Sequence, residues 1–181
     1  MAPTLRDRLA TAIVGEGVHD WGIVFDRKPG FFRERIGLAL REKDGQPVLT
    51  LTYKYSSVIS YNAFTFAIPV FDLAAFVREL QAGYDRLRCL AGTQRGAGGE
   101  TGALPLAQRL MIKVIHGIRA SALLLDHRNP STGETEYLFY GYVTRKSEIK
   151  VFIQSDLDIV NSNGHVISGE GFQAALNVLT E

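Results

Sequence analysis

Tyr140, Tyr142 and Lys146 alternate along one run of this sequence, and Lys150, Phe152 and Gln154 alternate along the next. Residues two apart share a face of a strand, so each run sets aromatic rings beside cations. That chemistry suits single-stranded nucleic acid, because every base offers a π-face for stacking and every linkage a negative charge. The other side of the second run carries Ile149, Val151 and Ile153, a natural core face, so Lys150, Phe152 and Gln154 are expected to be exposed. A second set lies earlier: Thr50, Thr52 and Lys54 share one side of a strand, Arg33, Arg35 and Arg41 one side of its neighbour, and Tyr61 joins them. Tyr53 and Tyr55 fall with Leu49 and Leu51 and are assigned to the core. A plainer reading stands beside this one. Tyr and Phe are common strand formers, a Tyr-rich strand is more often core or subunit contact than base platform, and outward Arg and Lys are usually only solvated.

Catalytic chemistry has no comparable signal. His19, His116, His127 and His165 are scattered, and the His19-Asp20 and Asp126-His127 neighbours would point to opposite faces of a strand. None has metal-ligand spacing. Asp156 and Asp158 share a face if their strand continues, but no third ligand lies nearby, so a strand-end acid pair is the simpler reading. Cys89 falls late in a helix near Arg86 and Arg88 without a histidine partner, which reads as an incidental thiol. Residues 91–102 hold five glycines but lack the Gly-Lys-Ser/Thr ending that cradles phosphate, so they read as a connector. No catalytic residue, metal site or cofactor is expected.

The composition permits a substantial core, with 46% hydrophobic and 22% charged residues in 181. Twenty Lys and Arg against 19 acids leave a net charge of +1, so no basic footprint marks a nonspecific duplex binder. A nucleic-acid role requires the cations to be segregated on one face. The single cysteine excludes an internal disulfide and fits a reducing compartment, so the cytoplasm, a nucleoid or an organelle interior is the expected location. No apolar run is long enough to span a bilayer, and no membrane partner is expected. Thr4 to Leu9 reads as the start of a short capped helix with Leu5, Leu9 and Ile13 on one face. A transit peptide is the rival reading, against which Asp7 and Glu16 argue.

The elements that must position these residues form two similar sets. After the N-terminal helix (residues 1–18), strands are expected at Trp21 to Phe25, Phe31 to Arg41, Val48 to Tyr55 and Asn62 to Ile68. Lys43-Asp44-Gly45-Gln46-Pro47 is a hairpin turn, and Pro69 ends the last strand. Asp72 is placed in the first turn of a helix to about Leu90, whose stripe of Leu73, Phe76, Val77, Leu80, Tyr84 and Leu87 can cover one face of a sheet. After the connector (91–103), residues 106–118 are ambiguous between helix and strand. Ala120 to Asp126, Tyr137 to Lys146 and Glu148 to Ser155 read as strands, and Ser168 can cap a final helix carrying Phe172, Leu176 and Leu179. The segments from Ile68 to Leu80 and from Ile167 to Leu179 echo one another. The fold class is therefore α+β, built as two repeats (residues 19–90 and 104–181) of several antiparallel strands followed by a helix, together one structural unit.

This order resembles the Whirly fold, and with it the Pur proteins and positive cofactor four. In that coactivator the helix follows a Gly-x-x-Ile-Ser segment, and Gly164-His165-Val166-Ile167-Ser168 is similar to it. The Lys-Gly-Lys-Ala-Ala-Leu segment of Whirly proteins is absent. The resemblance implies a noncatalytic, homo-oligomeric protein that binds single-stranded DNA or RNA on its sheets. The candidate contacts are Arg33, Arg35, Lys54, Tyr61, Tyr140, Tyr142, Lys146, Lys150, Phe152 and Gln154. The alternative is a structural or interaction protein of the same fold, whose aromatic sheet faces are subunit contacts.

Overall fold

A computed structural model describes residues 16–92, 118–129, 132–155 and 165–181. The protein is α+β: two four-stranded antiparallel sheets, with strands in sequence order, are each followed by a helix. Contacts divide the chain into one unit of Met1–Leu73 with Asn177–Glu181 and another of Ala74–Leu176.

The first sheet comprises β1 (Glu16–Arg27), β2 (Arg33–Lys43), β3 (Gln46–Ser56) and β4 (Tyr61–Pro69). Strict alternation makes β2 and β3 strands. They pair in unbroken register from Arg33↔Ser56 to Lys43↔Gln46 across the turn Asp44-Gly45. Both turn residues have positive φ, 53° and 75°, the conformation that matches a hairpin to its twisted strands. β1 is longer than the expected Trp21 to Phe25, and its pairing with β2 contains three register shifts. At one of them Gly22 takes φ 68°, and its N–H donates to Asp20 Oδ1 at 2.7 Å. One face holds Ile36, Leu38, Leu49, Leu51, Tyr53, Phe66 and Ile68, all buried. Tyr53 stacks on Phe64 at 5.1 Å. Burial, and then the nearby Glu34 carboxylate, push the Tyr53 phenol well up. Glu34 is itself buried on this face and accepts from Arg27 at 3.0 Å.

The second unit holds α1 (Leu73–Gly92), β5 (Ile118–Arg128), β6 (Thr135–Thr144), β7 (Ile149–Ser155), β8 (His165–Ser168) and most of α2 (Gly169–Thr180). Asp72 lies just ahead of the first turn of α1 rather than within it. The apolar stripe of α1 covers a sheet, and the sheet is the second one. Phe76 meets Phe139 edge-on at 5.8 Å, and Leu87 lies over Gly141. At Gly83 the helix backbone comes so close to Leu124 that a Cβ would sit 2.7 Å from its carbonyl oxygen. Tyr84 packs against Phe172 at 5.4 Å and donates to the Gly169 carbonyl at 3.0 Å, with burial raising its phenol pKa. Ser168 caps α2 by accepting from Gly171 N–H at 3.1 Å.

Candidate functional site

The polar face of the first sheet carries the earlier of the two residue sets. Register aligns its side chains in rows across β2, β3 and β4: Arg33, Ser56 and Tyr61; then Arg35, Lys54 and Ala63; then Gly37, Thr52 and Thr65; then Ala39, Thr50 and Ala67. Arg41 follows one row further on, beside Val48. The floor is thus small in the middle and cationic at both ends. It forms a trough of about 230 Å³, lined among others by Asp20, Gly37, Ala39, Thr50 and Thr52 with Arg35, Arg41 and Lys54. From Arg35 to Arg41 the strand advances about 20 Å at roughly 3.3 Å per residue.

The cations are not equally available. Arg33 donates twice to Asp26, at 2.9 and 2.7 Å, and Arg35 lies 3.5 Å from the same carboxylate. The Arg33 hydrogen bond holds the Asp26 carboxyl below its usual range and raises the guanidinium in return. Lys54 is exposed and makes no ion pair among the described residues. Arg41 Nε is buried without a hydrogen-bond partner, and so is the hydroxyl of Thr50, a residue only 5% exposed. Such buried donors are satisfied by ordered water, or by a ligand oxygen once neighbouring side chains shift. Thr52 and Thr65 hydroxyls lie 3.5 Å apart on the same floor, and Tyr61 stands exposed at one end. These groups can bind an anion and stack a ring.

The second residue set shares a face as expected but is not open. Register pairs Tyr140 with Phe152, Tyr142 with Lys150 and Leu138 with Gln154. Tyr140, Tyr142 and Phe152 form a buried cluster with Ile118, Leu123 and Val166 against it, and Gln154 is buried too. The expected exposure of Phe152 and Gln154 is therefore corrected. Burial also raises the Tyr142 phenol, and the Tyr140 hydroxyl donates to Ser121 Oγ at 2.8 Å. Lys150 is half-buried beside them. Lys146 is exposed in the turn after β6, past the strand that was to align it with the tyrosines.

Among the described residues no three His, Cys, Asp or Glu converge as metal ligands. His19 packs on Trp21 at 4.6 Å, His127 on Phe76 at 5.1 Å, and Cys89 is an exposed thiol. Residues 1–15 of the expected N-terminal helix, His116, residues 93–103 of the glycine-rich connector, the ambiguous run up to residue 117, Asp156 and Asp158 lie outside the described residues, while residues 16–18 belong to β1 and residues 91–92 to α1 instead of helix and connector. Sequence reasoning put Arg41 and Thr50 on the right face without singling them out, since an unmatched donor is visible only once its neighbours are. No family model matches the chain, and no curated protein matches it.

Proposed function

We propose that the protein is a noncatalytic binder of single-stranded nucleic acid, with the strand lying along the trough of the first sheet. The observation that carries this reading is the trough itself. A floor of Gly37, Ala39, Thr50 and Thr52 admits a backbone closely, Arg35, Lys54 and Arg41 flank it, and Thr50 offers a buried, unmatched hydroxyl. Tyr61 supplies an exposed ring at one end. The order of four strands and a helix, twice over, agrees with the Whirly-like resemblance. One chain presents few cations to a strand, so several copies acting together belong to the same proposal, as does a location inside the cell where single strands occur.

Fluorescence anisotropy of labelled single-stranded and duplex oligonucleotides, titrated at several salt concentrations, tests this. The expected outcome is a preference for single strands. Affinity should fall with salt with a log–log slope of about −2, from three cations at roughly −0.7 each. Lys54→Ala should flatten the slope. Equal affinity for duplex, or no binding at low salt, would overturn the reading.

A further inference from the structure

Two turns close at the same end of the first sheet. One joins β1 to β2 at residues 28–32, the other joins β3 to β4 at residues 57–60, and the pairings Arg33↔Ser56 and Ser56↔Tyr61 bring them side by side. Their outermost side chains are Phe31, Val58 and Ile59, which are 81%, 80% and 95% exposed. Phe32 stands behind Phe31, stacked on Tyr55 at 5.7 Å. The turns are held by their own backbones and hydroxyls. Phe32 N–H donates to the Pro29 carbonyl, Ser57 N–H donates to the Ser60 carbonyl, and the Ser57 hydroxyl oxygen accepts from the N–H groups of Ile59 and Ser60. The turn's polar groups bond to one another, while Phe31, Val58 and Ile59 leave hydrocarbon exposed beside them.

Behind this apolar end lies a cationic collar. Residues 26–35 and 53–62 contain Arg27, Lys28, Arg33, Arg35 and Lys54 against only Asp26 and Glu34, in a chain whose total is +1. Both acids are engaged by arginines, and Lys28 and Lys54 make no ion pair among the described residues.

Val58 and Ile59 offer no π-face to a base and no charge to a phosphate, so the nucleic-acid reading does not account for them. Hydrocarbon outermost with cations one layer behind is the order that an anionic bilayer presents in reverse: headgroup charge first, then acyl chain. Two copies meeting tip to tip would instead oppose one positive collar to another. We propose that the paired tips dock on anionic lipid bilayers. Phe31, Val58 and Ile59 enter the interfacial region, while Lys28 and Lys54 meet the headgroups. This docking shares Lys54 with the trough but does not require a strand to be bound there.

Sedimentation of the full chain with vesicles of phosphatidylcholine, with and without phosphatidylserine, tests the proposal. The protein should pellet with the anionic vesicles at low salt and much less with the neutral ones. The Val58→Ser/Ile59→Ser variant should partition at least about tenfold more weakly, while its single-strand anisotropy and circular dichroism stay as in the parent. Failure to pellet with anionic vesicles, or equal partition of parent and variant, overturns the proposal. So does light scattering that shows a higher-mass parent reduced to single chains by the variant, because the tips would then be a protein contact.

Discussion

Asp26 sits between Arg33 and Arg35 and neutralises cations that would otherwise face the trough. Asp26→Asn should therefore strengthen single-strand binding and steepen its salt dependence by about 0.7 in slope as Arg33 is released, since Arg35 already counts among the three trough cations. An unchanged slope would mean that Arg33 does not reach the strand. Protonation has the same sense. Because the folded-state pKa lies below the ordinary value of 3.8, the carboxylate's contribution to stability is present above that value and fades as pH falls through the lowered one. The affinity ratio of variant to parent should thus be constant above about pH 5 and narrow under more acid conditions. Thr50 makes a sharper case. Its buried hydroxyl is unmatched in the free protein, so the nearly isosteric Thr50→Val should stabilise the fold by up to about 1 kcal/mol. The same change should weaken single-strand binding about fivefold, since it removes a donor the ligand would use. A stability gain with unchanged binding, measured by urea denaturation and anisotropy together, would leave Thr50 a structural residue only.

At the scale of elements, α1 shows packing overruling propensity. Glycine in a helix ordinarily costs about 1 kcal/mol against alanine, yet Gly83 is where the helix touches the Leu124 backbone. Backbone cannot move aside as a side-chain end can, so Gly83→Ala should destabilise by about 2–3 kcal/mol despite the helical gain. Thermal denaturation that shows a stabilised variant would refute this close approach. The strands are largely readable from the sequence, because Leu49, Leu51 and Tyr53 alternate with Thr50, Thr52 and Lys54 and one face must be apolar. The limits have the same physical origin. Period two tells which residues share a face, but not whether anything lies over it, so Phe152 between Lys150 and Gln154 reads as exposed when it is buried. The stripe of α1 would satisfy either sheet, so its sequence cannot say which one it covers. The trough's rows follow from register, which alternation and the Asp44-Gly45 turn do disclose. The unmatched donors at Thr50 and Arg41 depend on neighbours that only the folded chain supplies.

Taken whole, the molecule pairs near-neutral charge with uneven placement of it, so any electrostatic binding should be local and salt-labile rather than a property of the entire surface. The division of the chain carries its own prediction. A fragment of residues 73–181 retains α1 together with the sheet it covers, whereas a fragment of residues 1–92 retains α1 without that sheet. The longer-numbered fragment should unfold cooperatively, while the other should bind a hydrophobic dye and associate. The reverse result would contradict the packing of the Phe76 to Leu87 stripe. That packing also sets an order in time. During synthesis Gly92 is made about 75 residues before Ser168 completes the second sheet, an interval of roughly 4–15 s at about 5–20 residues per second. Until β5 and β6 are made the finished helix lacks its native surface, so the nascent chain presents Phe76, Leu80 and Leu87 to the first sheet or to whatever attends the ribosome exit.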